Sequence, residues 1–238
     1  MSALVLVAIL IASQPAVPRS PAGDADQLYA NRADLASAKR AAALWTAALT
    51  ANPKDFEAAW KLARADYWLG DHAPDKERAM YLDDGVARGR AAAMLEPNRP
   101  EGHFWIAANM GTLGQMSSRA GLKYRNDIKK ELETVLRLDP AFQQGSADRA
   151  LGRWYAKVPR LFGGNDKTAE AHLRASLKYN PQSTASHFFL AELLMDNGRR
   201  PEAREELQRV IDAPLDPEWT PEDQEFKQKA RAMLASRR

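Results

Sequence analysis

Prolines that follow an acidic or amide residue recur along the chain at a nearly constant interval. Pro53, Pro97, Pro140 and Pro181 lie 44, 43 and 41 residues apart, and each is preceded by Asn, Glu or Asp. Small or apolar residues occur at helical spacing before each of them, and a proline stops a helix. The sequence therefore predicts one repeated unit in which a packed helix ends at the proline.

Two sets of positions recur within each unit. Before the prolines, small or apolar residues form the packing face of one helix: Ala41, Trp45 and Ala48; Gly85, Gly89 and Ala92; Ile128, Leu132 and Val135; Ala169, Leu173 and Ser176. After the prolines, a large residue stands beside a small one, which lets neighbouring helices approach closely: Leu62-Ala63, Ile106-Ala107, Leu151-Gly152 and Leu190-Ala191. This pattern is typical of the tetratricopeptide repeat, a helical hairpin of about 34 residues.

The predicted fold is all-α: a tetratricopeptide-like helical-hairpin solenoid with lengthened inter-helix linkers and a C-terminal capping helix. The extra length is assigned to the segments 70–84, 114–127 and 158–167. The polar segment 215–238 is predicted to cover the exposed end of the solenoid. A single domain is expected over residues 27–238.

The first 26 residues are interpreted as a signal peptide and linker. The apolar run at 3–12 has the length of a signal-peptide core and is too short to span a bilayer, and cleavage is expected after Ala16 or within 22–25. Export to the periplasm is the favoured interpretation, and an apolar N-terminus on a cytoplasmic protein is the alternative. The chain has no cysteine, which excludes disulfides, thiol nucleophiles and a lipid-modified Cys.

The sequence shows no pattern typical of an enzyme or a nucleic-acid-binding protein. The 34 basic and 31 acidic residues are interleaved rather than clustered. The four histidines, His72, His103, His172 and His187, lack the paired spacing of metal ligands. We therefore predict no catalytic residue, no cofactor and no metal.

The stretch "FGGNDK" at 162–167 allows two interpretations. Glycines ahead of a helix could form an anion-binding loop, which would suit an enzyme. They could equally form a turn between two helices, with Asn165 or Asp166 as the N-cap. The P-loop pattern and its preceding strand are missing, so the turn is favoured.

Tetratricopeptide arrays bind along a concave face lined by the first helix of each pair. Its positions are placed two residues before, two after and five after the large residue of each pair. The candidate binding residues at those positions are Trp60, Arg64, Tyr67, Phe104, Arg149, Arg153, Phe188 and Glu192. Aromatic rings with arginines would suit an apolar ligand that carries a carboxylate. The alternative is that the rings pack between repeats while the arginines face water.

Three segments resemble a known family: "HFWIAANMG" (103–111), "ALGRWYAKVPRLFGGNDKTAEAHLRASLKYNP" (150–181) and "HFFLAELLMDNGRRPEAREEL" (187–207). They are similar to the T-component of tetratricopeptide-associated TRAP transporters, the TatT family. The first segment and "LGRWY" also resemble the regulator of microtubule dynamics proteins. Asn109 lies in the first segment and is added to the candidate binding residues.

The TatT resemblance implies a periplasmic, non-enzymatic helical-repeat protein. Its members associate with a solute-binding protein, pass an apolar or organic-acid ligand through an internal channel, and form trimers. They are typically anchored through a lipidated Cys, which this chain lacks. The alternative function is a general scaffold that binds a protein or peptide partner in its groove.

Overall fold

The computed structural model describes residues 21–236, and over that range every regular element is helical. Eleven α-helices and one 3-10 turn, Arg160–Phe162, are present in this part of the chain. The helices are α1 (Pro21–Ala30), α2 (Leu35–Ala51), α3 (Phe56–His72), α4 (Asp75–Leu95), α5 (Pro100–Met116), α6 (Ser118–Leu138), α7 (Phe142–Lys157), α8 (Asp166–Tyr179), α9 (Thr184–Asp196), α10 (Arg200–Asp212) and α11 (Thr220–Ala235).

Consecutive helices pack as hairpins, α1 with α2 through α9 with α10, and each hairpin packs on the next. Asp34, Asp55, Asn165 and Ser183 are N-caps, and each accepts backbone hydrogen bonds at a helix start. The helix α11 follows the last hairpin and packs on α9 and α10. The predicted all-α, tetratricopeptide-like solenoid with a C-terminal helix is confirmed.

The predicted packing face of the second helices lies in the core. Leu132, Val135 and Leu173 on this face are at most 1% exposed, and Gly85 and Gly89 are buried. A Cβ on Gly85 would lie 2.3 Å from Oδ1 of Asn109, so the glycine lets α4 pack directly on α5. The large–small pairs after the prolines are buried as well.

The extra length of the repeats lies mainly in helices, which corrects the prediction of long linkers. The helices α4 and α6 each contain 21 residues and absorb most of the segments 70–84 and 114–127. Only two residues separate α3 from α4, and one separates α5 from α6. A long connection between the helices of one hairpin is found only between α7 and α8, at residues 158–165 of the described range.

Helix α1 begins at Pro21, six residues before the domain boundary expected from the sequence. Ala25 is fully buried, and Asp26 forms an ion pair with Lys61 at 2.8 Å. The apolar run at 3–12 and the cleavage expected after Ala16 lie outside the described residues. Among the described helices, none is both long and apolar enough to cross a membrane.

The glycine pair of "FGGNDK" has a structural role in the α7–α8 connection. Gly163 adopts the left-handed conformation with φ of 105°. At Gly164 the backbone folds so tightly that a Cβ would lie 1.7 Å from the carbonyl oxygen of Val158. Asn165 then caps α8 by accepting from the amide of Thr168 at 2.9 Å. These contacts are those of the turn interpretation.

Replacing Gly164 with Ala should lower the free energy of unfolding by about 3 kcal/mol, because the new methyl group overlaps a carbonyl oxygen. Gly111→Ala is the matched control, since no atom lies within 4 Å of its added Cβ. In the interior of α5 it should be neutral or stabilising by up to about 1 kcal/mol. Chemical denaturation of both variants measures the difference. Equal effects would contradict the assigned turn geometry.

Candidate functional site

The C-terminal segment returns to the N-terminal hairpin and closes the solenoid. Arg32, in the α1–α2 turn, donates from Nε to Glu222 Oε1 at 2.9 Å and pairs through Nη2 with the other carboxylate oxygen. The same Nη2 donates to the backbone carbonyl of Glu218 at 2.7 Å. Glu222 lies 190 residues from Arg32 in the chain. The first and last elements of the described chain are thereby joined directly.

The closing arginine is enclosed by aromatic rings. Its side chain is only 3% exposed, and its guanidinium lies 5.1 Å from the ring of Tyr29, 5.4 Å from Trp68 and 5.9 Å from Trp219. The indole of Trp68 donates to the carbonyl of Arg32 at 2.8 Å, which fixes the turn. A two-pronged Arg–carboxylate pair in such surroundings is strong and specific in geometry. We call Arg32, Glu218 and Glu222 the closure cluster.

A second contact joins α3 to α11. His72 stacks on Trp68 at 3.7 Å, and its Nδ1 donates to the Trp68 carbonyl at 2.8 Å. Its Nε2 lies 2.7 Å from Oε1 of Glu225. Burial lowers the pKa of His72, but the hydrogen bonds to Glu225 and to the Trp68 carbonyl outweigh burial, so the pKa is raised. Burial by itself would raise the pKa of Glu225. The hydrogen bond from His72 outweighs burial, so the pKa of Glu225 is lowered.

One group of three side chains has a spacing that a metal ion could bridge. Single ligand atoms of Asp71, His72 and Glu225 lie within 4.8 Å of one another. Cations of the protein already neutralise both carboxylates: Arg78 lies 3.2 Å from Asp71, and Lys229 lies 3.6 Å from Glu225. We therefore interpret the group as an ion-pair network.

A third contact supports the closure from the start of α7. Gln144 donates to Oδ2 of Asp216 at 3.0 Å and accepts from the side chain of Asn180. Gln143 and Gln144 have positive φ values of 44° and 59°, and Gly145 follows at 77°. Left-handed backbone at a residue with a side chain costs about 1–3 kcal/mol, and it persists only where the surroundings hold it. The hydrogen bonds of Gln144 are such a constraint.

The closed solenoid surrounds a cavity of about 1260 Å³. Its wall combines residues from α1, α3 and α5 to α9 and from the closing segment and α11, between residues 214 and 229. Aromatic and aliphatic side chains make up much of this wall: Tyr67, Phe104, Trp105, Ile128, Leu132, Phe188, Phe189 and Phe226. A ligand pocket usually measures about 300–1,000 Å³, so this space is large enough for a small molecule.

Arg149 and Tyr67 bring uncommitted polar groups to the cavity wall. Among residues 21–236, neither the Arg149 guanidinium nor the Tyr67 hydroxyl has a hydrogen-bond or ion-pair partner. Burial lowers the pKa of Arg149 to about 10, while Tyr67 and Asp223 act in the opposite direction, so the side chain is still a cation at neutral pH. Burial also raises the pKa of Tyr67, which keeps its hydroxyl protonated.

Arg153 also lines the cavity, but its contacts are already made within the protein. It pairs with Glu192 at 2.8 Å, donates to Gln115 at 3.1 Å, and lies 4.2 Å above the ring of Phe189. The pair joins α7 to α9. Arg153 and Glu192 therefore build the wall and neutralise each other.

The structure brings six of the nine candidate binding residues into this one cavity: Tyr67, Phe104, Arg149, Arg153, Phe188 and Glu192. Three lie elsewhere. Trp60 donates to Glu57 at 3.0 Å, and Arg64 packs at 4.2 Å on the ring of Tyr29, beside a second, smaller pocket. Asn109 is fully buried between helices and donates to the carbonyls of Ala63 and Trp105.

These three departures have a common cause. A position within a repeat gives the face of a helix, but each first helix contacts both its own hairpin partner and the next hairpin. Arg64 therefore packs on Tyr29 of the N-terminal hairpin, Trp60 packs against the central core, and Asn109 faces Gly85 on α4. The sequence reasoning also misses the closure cluster, Gln144 and the strained turn, since no repeat position marks contacts between the two ends of the array.

Comparison with known proteins identifies two family matches. The family model described as regulator of microtubule dynamics protein 1-3 matches residues 23–174. A tetratricopeptide repeat model matches residues 164–220. No curated protein sequence matches the chain.

Solved tetratricopeptide-type structures are similar over most of the chain. A thermophilic tetratricopeptide protein from Thermus thermophilus has a TM-score of 0.69 and 22% identity, covering 90% of this chain and 97% of its own. MamA has a TM-score of 0.50 and 15% identity, covering 84% and 95%. A MamA RS-1 double mutant has a TM-score of 0.53 and 15% identity, covering 82% and 95%. Likeness at this identity shows the fold, a tetratricopeptide-like solenoid.

Removing the closing arginine should strongly destabilise the fold. We expect Arg32→Ala to lower the free energy of unfolding by about 3 kcal/mol or more, because Glu222 would be left in a partly buried site without its cation. Arg32→Lys should recover only part of this loss, since an ammonium cannot make the two-pronged pair. The matched control is Arg199→Ala, which removes a half-buried arginine that pairs with Glu170 and Glu202 and touches no aromatic ring of the described residues. Denaturant unfolding measures both variants. Equal losses of unfolding free energy for Arg199→Ala and Arg32→Ala would contradict the stabilising role of the contact between Arg32 and Glu222.

The contact between His72 and Glu225 should make stability depend on pH. The raised pKa of His72 means that its contribution is complete below the ordinary value of 6.5 and is lost as the pH rises through the folded-state value. The lowered pKa of Glu225 means that its contribution is present above 4.5 and is lost on acidification. Wild type should therefore exceed His72→Gln in Tm by about 2 °C near pH 5.5 and by less at pH 8.5. A difference that grows with pH would argue against this assignment.

Proposed function

The chain belongs to the regulator of microtubule dynamics protein 1-3 family, and on that premise we propose that it is a non-enzymatic, exported binding protein with tetratricopeptide architecture. Its cavity receives a small apolar or anionic ligand, and its outer surface binds a protein partner. In this proposal the protein is an accessory of a TRAP-type organic-acid transporter, and the partner is a periplasmic solute-binding protein. The resemblance to the TatT family at 103–111, 150–181 and 187–207 supports this role.

The large cavity walled in part by the C-terminal segment is the observation that carries the ligand part of the proposal. Tetratricopeptide arrays usually present an open concave groove, which suits a peptide or a helix of a partner. Here the segment 214–223 crosses from the last hairpin to the first and contributes to the cavity wall. Such an added wall favours a small molecule, because burying most of a ligand surface requires concave protein around it.

The protein-partner part of the proposal rests on the architecture. Tetratricopeptide repeats serve as interaction scaffolds, and the match at 164–220 together with the solved neighbours supports that class for this chain. The outer faces of the second helices carry many charged residues, among them Lys130, Glu133 and Arg137 on α6. Such surfaces suit recognition that is selective in charge. A homotrimer, as in the TatT family, is a further part of this proposal.

The general scaffold is the second candidate function. In this alternative the chain binds a peptide or protein and the cavity is a consequence of closure. The two candidates differ in what copurifies with the protein: a bound small molecule supports the first, and a protein partner without a small molecule supports the second.

Native mass spectrometry tests the proposal. The chain, expressed with its own first 26 residues in a Gram-negative host and recovered from the periplasmic fraction, should carry a bound small molecule. Gly111→Phe should abolish the bound mass, because it places a ring in open space at the cavity wall. Lys130→Phe is the matched control: it adds the same ring on α6 at a position outside the wall. Both variants must first show wild-type circular dichroism.

A second readout addresses the partner and the compartment. A solute-binding protein encoded beside this chain should copurify with it. The native mass of the complex should then exceed that of the free chain by the mass of one copy of the solute-binding protein. The transport role would be overturned if the chain stays in the cytoplasm, carries no small molecule and does not bind the solute-binding protein. The general scaffold would then be the remaining function.

A further inference from the structure

The cationic side chains on the cavity wall are, with one exception among the described residues, already neutralised or engaged. Arg153 pairs with Glu192, Lys157 with Asp196 at 3.5 Å, and Lys229 with Glu225. Arg125 donates to the carbonyl of Leu122 and packs 5.2 Å from the ring of Phe162. In the described part of the wall, only Arg149 presents a guanidinium with no direct partner.

Arg149 occupies a central place in the cavity wall. It lies on α7, which packs against α5 and α9, and those helices bring Phe104 and Phe188 to the same wall. Tyr67 on α3 and Asp223 on α11 both raise its pKa, and both line the same cavity. Asp223 does not pair with it directly, because its two oxygens accept from Thr184 and from the backbone amide of Asp216.

The Tyr67 hydroxyl adds a second free donor at this place. Within residues 21–236 it has no hydrogen-bond partner, although its ring contacts Trp105 with a centroid distance of 5.6 Å. Both side chains are half-buried on the cavity wall, and a hydrogen bond to a charged group is stronger than one between neutral groups. A charged acceptor that enters the cavity would satisfy both groups at once.

Resting on the proposed function, we propose that Arg149 and Tyr67 form a single anion subsite, which selects a monocarboxylate with an apolar body. The carboxylate accepts hydrogen bonds from the Arg149 guanidinium and from the Tyr67 hydroxyl. The apolar body lies among the rings of Phe104, Phe188 and Phe226. Arg153 serves the wall and does not bind the carboxylate.

The described wall offers no equivalent place for a second negative charge. Away from Arg149 its basic groups are committed to carboxylates or to a backbone carbonyl, and much of the remaining surface is aromatic. The one other wall cation without a carboxylate partner among the described residues is Arg125, which already donates to the Leu122 carbonyl, so a second carboxylate would be held less favourably than the first. The cavity therefore discriminates against dicarboxylates of the same length.

Three probes with eight carbons separate charge from shape: octanoate, its neutral amide octanamide, and the dicarboxylate suberate. Isothermal titration of the purified full chain should show the tightest binding for octanoate, with suberate at least about tenfold weaker. Arg149→Gln should weaken octanoate about ten- to a hundredfold, as expected for a lost charge-assisted hydrogen bond. The same variant should change octanamide binding less than about threefold, because the amide carries no charge.

Two further variants assign the contacts. Tyr67→Phe should weaken octanoate about three- to tenfold while keeping the ring. Arg160→Gln removes one positive charge just after the same helix, at a residue outside the cavity wall, and it should leave octanoate binding unchanged. Arg149→Lys should restore part of the affinity that Arg149→Gln loses. Thermal melting checks the fold, and ligand-free Arg149→Gln should melt at or above wild type, because it removes an unpaired charge.

The outcomes separate this proposal from the function on which it rests. If octanoate binds wild type and Arg149→Gln equally, the anion subsite is wrong, while the cavity still binds apolar ligands. If suberate matches octanoate, the selection for one charge is wrong. If no acid binds but the exported protein carries another small molecule, the subsite fails and the proposed function stands. If the protein binds no acid and carries no other small molecule, both the anion subsite and the ligand-binding part of the proposed function fail.

Discussion

The pair between Arg32 and Glu222 determines what kind of molecule this array of hairpins becomes. Each hairpin satisfies its own backbone and buries one face, so five hairpins could form an open superhelix. The buried guanidinium joins the α1–α2 turn to α11 and holds the segment 214–219 across the gap. With that contact made, residues of this segment become part of the wall of the cavity that Arg149 also lines.

Closure also changes how stability is distributed. In an open solenoid each repeat contacts only its neighbours, and the ends are free to fray. Here the contact of Arg32 and that of His72 with Glu225 make the first hairpins and α11 neighbours in space. The strained backbone at Gln144 is compatible with this arrangement because Gln144 binds Asp216 of the closing segment. The contact that closes the array therefore also stabilises the strained backbone at Gln144.

The repeat architecture can be predicted from the sequence because its determinants are local. The spacing of Pro53, Pro97, Pro140 and Pro181 places the helix ends, and the large–small pairs give the buried faces. The same reasoning brings six of nine candidate residues to one cavity. The closing contacts cannot be predicted in this way, because they join residues that are far apart in the sequence. Neither Arg32 nor Glu222 occupies a repeat position, and their separation of 190 residues leaves no periodic signal. The long helix α4 resembles a linker in the sequence because its charged residues leave no clear apolar face.

A closed circle of hairpins restricts how such a protein can evolve. Open repeat arrays gain or lose units readily, since a new unit only needs to match its two neighbours. In this chain an added hairpin would move α11 away from the α1–α2 turn, and a deleted one would drive the two ends into each other. Either event would disrupt the geometry of the pair between Arg32 and Glu222. Selection for the closed form therefore fixes the number of hairpins and confines variation in length to the outer loops, such as the connection at 158–165.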